Sequence, residues 1–128
     1  MLNQKFVIEG GKKLSGEINI QGAKNSSLPI IAASLMCSGE TVLKNCPALS
    51  DTYASCRILT HLGCECRFCG NTLSVKSGGL NSCSIPDELM REMRSSIIYM
   101  GALLGAVGKC SLSFPGGCEL GPRPIDMH

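Results

Sequence analysis

The chain has 128 residues, of which 44% are hydrophobic and only 4% aromatic. That length suits one compact domain and is too short for two domains of ordinary size. A net charge of +2, from 12 basic and 10 acidic residues, provides no polybasic surface, so we do not expect nucleic acid as a partner. A basic residue that matters here should act locally, on one small anion.

The amino terminus lacks the sustained apolar run of a signal peptide, because Asn3, Gln4 and Lys5 interrupt it. The longest apolar stretch, residues 97–107, is shorter than the roughly 20 residues that span a bilayer. We therefore expect a cytoplasmic protein without membrane contact. The nine cysteines are odd in number and scattered, which favours reduced, small core residues over a disulfide framework.

An internal repeat organises the chain. Residues 26–46 align without a gap on residues 95–115, at a constant offset of 69. Each copy opens with two serines, whose hydroxyls are expected to accept hydrogen bonds from the first helical amides. Each then predicts an apolar helix that ends at Gly39 or Gly108, followed by a strand at 41–44 or 110–114.

Further elements follow in chain order. Residues before the repeat predict strands at 5–9 and 16–20. Ser50 and Asp51 open a helix with one apolar face that ends near Gly63, and a hairpin of strands 64–68 and 72–75 comes next. A helix begins at 86–88; it either breaks before Arg94, as the repeat requires, or continues without interruption. Strands that alternate with helices predict an α/β fold.

Two segments are candidate anion sites. Lys24 and Asn25 lead from a predicted strand into a helix N-terminus, where free backbone amides favour an anion. The repeat puts Arg94 at the position equivalent to Asn25, and a guanidinium can bind phosphate or carboxylate through two hydrogen bonds. Taken singly, each segment fits better with an ordinary helix start that carries a solvated cation; two such sites related by a repeat are stronger evidence for binding than one.

Two groups of cysteines are candidates for chemistry. Cys118 follows Pro115-Gly116-Gly117 at a strand end, where the glycines keep side-chain bulk away and a thiol can serve as an acid or a nucleophile. Cys64, Cys66 and Cys69 have a spacing that three zinc ligands can adopt, with Cys56 or His61 as a fourth. Small cysteines of a packed strand are the more common use of such a spacing.

Several motifs together resemble the UDP-N-acetylglucosamine 1-carboxyvinyltransferase family along essentially the whole chain. They are Gly10-Gly11-Lys12-Lys13-Leu14-Ser15-Gly16, Gly22-Ala23-Lys24-Asn25-Ser26, Leu62-Gly63, Met93-Arg94-Ser95-Ser96, and Pro115-Gly116-Gly117-Cys118-Glu119-Leu120-Gly121-Pro122-Arg123-Pro124-Ile125-Asp126. The resemblance implies transfer of an enolpyruvyl group from phosphoenolpyruvate to the 3′-hydroxyl of UDP-N-acetylglucosamine, the first committed step of peptidoglycan synthesis. Phosphate is released.

The resemblance also implies residue roles. Cys118 matches the family's loop cysteine, which acts as a general acid and is alkylated by fosfomycin. The substrate-binding positions are implied to be Lys24, Asn25, Arg94, Arg123, Pro124, Ile125, Asp126 and Met127. No metal or organic cofactor is implied.

The family fold implied is an inside-out α/β barrel of repeated units, incomplete in this chain. Residues 1–23 are expected to pack with a second domain, and residues 24–128 to form the first repeat and part of the second. The remainder of the parent chain is thus an expected partner, and we expect the 128-residue chain alone to be inactive. Two alternatives stay open: the shikimate-pathway enolpyruvyl transferase, which shares the repeat but lacks Pro-Gly-Gly-Cys, and a non-catalytic truncated product or assembly partner.

Overall fold

The computed structural model describes residues 5–116, in which four helices and five short strands alternate. In chain order the elements are α1 (Lys24–Ala33) with a 3-10 turn (Ser34–Met36), β1 (Gly39–Leu43), α2 (Ser50–His61), β2 (Glu65–Cys69), β3 (Thr72–Ser77), β4 (Ser84–Ile85), α3 (Asp87–Arg91), a second 3-10 turn (Arg94–Ile97), α4 (Ile98–Val107) and β5 (Ser111–Leu112). The predicted α/β class is confirmed. Among the helices of the described residues, none has the length and apolarity needed to cross a membrane.

A three-stranded antiparallel sheet has β3 in its centre, between β1 and β2. Because side chains alternate along a strand, Leu73 and Val75 of β3 are buried whereas Lys76 faces solvent. α2 contacts β2, and the 3-10 turn after α1 contacts β3, so helical residues share one core with Leu73 and Val75. A separate parallel pair, β4 and β5, lies in the second part of the chain.

Buried apolar side chains of α1 and α4 form part of the core. The apolar face predicted for α2 is confirmed, because Ala54, Ile58, Leu59 and, directly after the helix, Leu62 are at most 2% exposed and belong to the same core. Their spacing places them on one side of a helix with 3.6 residues per turn. The predicted hairpin follows, formed by β2 and β3 and joined by a turn at Gly70 and Asn71.

Both copies of the repeat fold as a helix followed by a strand. In the second copy Gly108 ends α4 with a left-handed backbone (φ 74°), as predicted. In the first copy the helix ends earlier. α1 stops at Ala33, a 3-10 turn follows, and Gly39 opens β1 with φ 101° instead of capping the helix.

The structure decides between the two alternatives for residues 86–107. α3 ends at Arg91, and Met93 adopts an extended backbone with φ −147° and ψ 150°. A new helical turn then begins at Arg94 and leads into α4. The helix is therefore broken where the repeat requires it.

The predicted capping by serine hydroxyls is wrong in direction. The Ser27 hydroxyl donates to the carbonyl of Ala23 (3.0 Å), and the Ser96 hydroxyl donates to the carbonyl of Met90 (2.8 Å). Both serines lie inside a helical turn, beyond the capping position. The Ser27 hydroxyl meets a carbonyl four residues earlier, whereas the Ser96 hydroxyl reaches back across the helix break to a carbonyl of α3. Each copy of the repeat thus has a serine that ties its helix to the residues before it.

The predicted strands at 5–9 and 16–20 do not form: residues 5–20 belong to no helix or strand. Apolar side chains in this segment are almost fully exposed, for example Phe6 (96%) and Ile8 (87%). A strand needs a partner for its backbone hydrogen bonds, and no described strand pairs with this segment. Packing of residues 1–23 on a second domain stays a prediction.

A buried hydrogen-bonded pair joins α2 to α4. The Tyr99 side chain is fully buried; its hydroxyl lies 2.6 Å from the Ser55 hydroxyl and donates to the Ser55 carbonyl (3.1 Å). Burial raises the pKa of Tyr99 above its ordinary value, and the hydrogen bond with Ser55 opposes that shift. α2 and α4 are therefore joined by a buried phenol whose neutral form is favoured.

We expect Tyr99→Phe to lower the free energy of unfolding by about 1–2 kcal/mol at pH 7, because it removes this buried hydrogen bond. Since the folded-state pKa is raised, the phenol's contribution is present below about pH 10 and declines as the unfolded chain ionises above it. Urea denaturation should show that the difference in free energy of unfolding between Tyr99→Phe and the unchanged chain is smaller at pH 11 than at pH 7. Tyr53→Phe, which removes a partly exposed phenol of α2, is the matched control. A difference that stays constant with pH would contradict the assignment.

Candidate active site

The starts of three helical segments meet around one cavity of about 340 Å³. Its polar lining comes from the first turn of α1, the first turn of α2 and the 3-10 turn before α4; its apolar lining comes from side chains of α1 and α4. The lining residues are Lys24, Asn25, Leu28, Asp51, Arg94, Ser95, Ile97 and Ile98. Three of the predicted site residues, Lys24, Asn25 and Arg94, are thus brought together.

Lys24 is held at the cavity by an ion pair. It is the first residue of α1, after an extended Ala23, and its Nζ donates to Asp51 Oδ2 at 2.9 Å. Asp51 lies in the first turn of α2, where the helix dipole favours a carboxylate, and its Oδ1 accepts a hydrogen bond from the Ser50 hydroxyl (3.3 Å). The ammonium is therefore oriented by a residue 27 positions away in the sequence.

Arg94 differs from the other arginines around it. Ion pairs among residues 5–116 join Arg57 to Glu92, Arg91 to Asp87, and Lys24 to Asp51; none of them includes Arg94. Its side chain is half-buried at the start of the second 3-10 turn. A guanidinium in this position can offer two parallel hydrogen bonds to a phosphate or a carboxylate.

The charges that line the cavity sum to a small positive value, from two cations and one carboxylate. The Asn25 amide adds a neutral donor, and the wall of Leu28 and Ile98 lowers the local dielectric constant. This arrangement can bind and orient a small anion.

Several predicted site residues lie outside the described residues, namely Cys118, Arg123, Pro124, Ile125, Asp126 and Met127. Asp51 is a functional candidate that the sequence reasoning missed, because Ser50-Asp51 indicated only the opening of a helix. Its position in the first turn of a predicted helix was the one sequence signal for this carboxylate. No neighbouring residue indicated its partner, Lys24.

The three cysteines at positions 64, 66 and 69 do not share one face. Cys64, just before β2, is buried and Cys66 is half-buried, whereas Cys69 is exposed, because it lies an odd number of residues from Cys66 and side chains alternate along a strand. Within residues 5–116 no group of three or more histidines, cysteines or acidic residues is placed to hold a metal ion. Cys66 instead lies near Cys56 of α2, and the interaction of the two thiols raises the pKa of Cys56 and lowers that of Cys66.

The segment that leads towards Cys118 packs on the end of α3. The Gly116 amide donates to the carbonyl of Met90 at 3.1 Å, the same carbonyl that accepts the Ser96 hydroxyl. A side-chain Cβ built on Gly116 would lie 2.0 Å from the carbonyl oxygen of Arg91. The glycine therefore permits a close backbone approach beside the Arg94 turn, a different role from keeping bulk away from a thiol.

Residues 8–128 match the protein family described as EPSP synthase (3-phosphoshikimate 1-carboxyvinyltransferase). The chain is a member of this family of enolpyruvyl transferases. Within it, the curated relatives most similar to the chain carry a more specific name.

UDP-N-acetylglucosamine 1-carboxyvinyltransferase 2 from Caldanaerobacter subterraneus subsp. tengcongensis is 50% identical over 124 residues, which are 97% of this chain and 30% of that protein. UDP-N-acetylglucosamine 1-carboxyvinyltransferase 1 from Symbiobacterium thermophilum is 46% identical over 131 residues, 98% of this chain and 30% of that protein. The chain thus spans about 30% of the length of these relatives, and the resemblance seen in its motifs is confirmed.

Among solved structures, the enolpyruvyl transferase NikO from Streptomyces tendae superposes with a TM-score of 0.70 at 26% identity. The match covers 77% of this chain and 23% of NikO. The enolpyruvyl transferase fold that the motifs implied is therefore confirmed for the matched part of this chain.

Gly116→Ala is expected to destabilise the chain by about 2 kcal/mol, because the new methyl group cannot be accommodated against the Arg91 backbone. Gly101→Ala is the matched control. Gly101 lies in α4, and outside the backbone of its own helix no atom lies within 4 Å of the place a methyl group would take. Alanine there should stabilise the helix by about 0.5–1 kcal/mol. Urea denaturation of both variants measures the change in free energy of unfolding, which should be a loss for Gly116→Ala and a gain for Gly101→Ala. Equal effects would show that Gly116 makes no close backbone contact.

Proposed function

We propose that the protein containing this chain transfers the enolpyruvyl group of phosphoenolpyruvate to the 3′-hydroxyl of UDP-N-acetylglucosamine, in the cytoplasm and at the entry to peptidoglycan synthesis. One bond forms between the sugar oxygen and the enolpyruvyl carbon, and the bond from that carbon to the phosphate oxygen breaks, which releases inorganic phosphate. The observation that carries the proposal is the meeting of Lys24, Asn25 and Arg94 in one cavity.

The charge of the cavity fits the first substrate. Phosphoenolpyruvate carries a phosphate and a carboxylate close together, and such a compact anion is bound best by fixed cations in a partly apolar wall. Lys24 supplies an ammonium and Asn25 an amide, while Arg94 has no carboxylate partner among residues 5–116. In this proposal the three bind phosphoenolpyruvate, and Arg123 to Met127 contribute at the substrates.

Cys118 is proposed as the general acid that protonates the methylene carbon of phosphoenolpyruvate while the sugar hydroxyl, losing its proton, adds to the neighbouring carbon. The methyl group formed in this step gives up a proton when phosphate leaves, which restores the methylene of the transferred enolpyruvyl group. A thiol with an ordinary pKa is mostly protonated at neutral pH, which suits the protonation step. The Gly116 contact supports the proposal, because it anchors the backbone two residues before Cys118 next to the turn that begins at Arg94.

A second candidate is transfer to 3-phosphoshikimate, since the family description names that reaction. Two observations favour the nucleotide sugar. The similar curated relatives, at 42–50% identity, are named for UDP-N-acetylglucosamine, and the chain contains Pro115-Gly116-Gly117-Cys118, the sequence by which it resembles those enzymes.

A chimera tests the proposal, in which this chain replaces the equivalent 124 residues of the Caldanaerobacter relative. We expect phosphate release that requires both phosphoenolpyruvate and UDP-N-acetylglucosamine. Cys118→Ala in the chimera should slow turnover by at least about 10²-fold and abolish alkylation by fosfomycin, because the acid is removed. The 128-residue chain alone should release no phosphate.

Cys69→Ala is the control, since Cys69 is an exposed strand residue that does not line the cavity. It should leave turnover unchanged. A chimera that folds but releases no phosphate would contradict the proposal, and so would unchanged turnover in Cys118→Ala. Activity with 3-phosphoshikimate in place of the nucleotide sugar would favour the second candidate.

A further inference from the structure

A carboxylate in a site for anions requires an explanation. Asp51 lines the same cavity as Lys24 and Arg94, and its Oδ2 lies 2.9 Å from the Lys24 ammonium. Its side chain is only 24% exposed, so water screens it less than a surface carboxylate. An anion that enters the cavity therefore meets Asp51 as a like charge.

Stability offers little reason for this ion pair. Lys24 is 45% exposed, and exposed pairs of this kind contribute little to folding. The helix dipole favours a carboxylate at this first-turn position only modestly, so an asparagine in place of the aspartate would cost α2 little. Aspartate and asparagine have nearly the same shape, so the feature of Asp51 that matters to the cavity is its negative charge.

We propose that Asp51 is an exchangeable counter-ion of Lys24. Before an anion binds, the ammonium is paired with Asp51, and an oxygen of the incoming phosphate takes over part of that contact. Arg94, which no carboxylate of residues 5–116 neutralises, makes the first contact with the anion. Asp51 is thus a positioning residue that sets the anion affinity through Lys24, an inference that rests on the proposed function.

The consequence concerns product release. The proposed reaction leaves inorganic phosphate in the site, and two unopposed cations in a partly apolar cavity would retain it. A carboxylate that competes for one of them weakens the binding of phosphate without removing the cation that orients the substrate. The exchange therefore balances capture of phosphoenolpyruvate against release of phosphate.

Titration of the 128-residue chain with inorganic phosphate, by calorimetry at about 0.1 M ionic strength, tests this. Asp51→Asn should bind phosphate about tenfold more tightly than the unchanged chain, since the competing charge is gone. Asp51→Glu keeps the carboxylate and should stay within about twofold of the unchanged chain.

Asp87→Asn is the matched control. Asp87 is also a carboxylate in the first turn of a helix with a cationic partner, Arg91, but it does not line the cavity. Asp87→Asn changes the net charge by the same amount as Asp51→Asn and should leave the phosphate affinity within about twofold of that of the unchanged chain. An equal gain in Asp87→Asn and Asp51→Asn would show an effect of net charge alone and would overturn the proposal.

The double variant with Lys24→Met separates exchange from simple repulsion. If Asp51 acts through Lys24, Asp51→Asn should gain about tenfold with Lys24 present and about threefold or less with Met at position 24. Equal gains in both backgrounds would overturn the exchange, as would the absence of phosphate binding in every variant. Neither result bears on the chimera, whose turnover tests the proposed function separately.

Discussion

One carbonyl oxygen connects the parts of the structure that matter for the site. The carbonyl of Met90 accepts the Ser96 hydroxyl and also the Gly116 amide. It is free to do so because α3 ends one residue later, so its intrahelical partner is missing. Two lone pairs on one oxygen thus join the end of α3, the turn of Arg94 and the segment that leads towards Cys118.

The extended backbone of Met93 follows from the same break. Had the helix continued, Arg94 would occupy the interior of a longer helix and its side chain would project from a different face. Because a new helical turn begins at Arg94, this residue lies at a helix start, as Lys24 and Asn25 do in the first copy. The repeat therefore acts on function through the backbone, by presenting cationic side chains from equivalent positions to a common cavity.

The repeat was also what made much of the fold predictable. It indicated the break before Arg94, the left-handed Gly108 and the equivalence of Arg94 with Asn25, because these depend on sequence close by. The Lys24–Asp51 pair and the tight contact of Gly116 depend on residues brought together from distant positions, which periodicity does not show. The strands expected at 5–9 and 16–20 failed for a similar reason, since an alternating pattern supplies a strand's side chains but not its partner.

The central claim is that Lys24, Asn25 and Arg94 form one anion site. Its most direct test is an NMR titration of the 128-residue chain with phosphoenolpyruvate, with assigned backbone amides. We predict that the largest shifts fall on the amides of these three residues and of Asp51. Shifts centred on the outer face of the sheet, where Arg67 and Lys76 line a separate cavity of about 260 Å³, would contradict the claim.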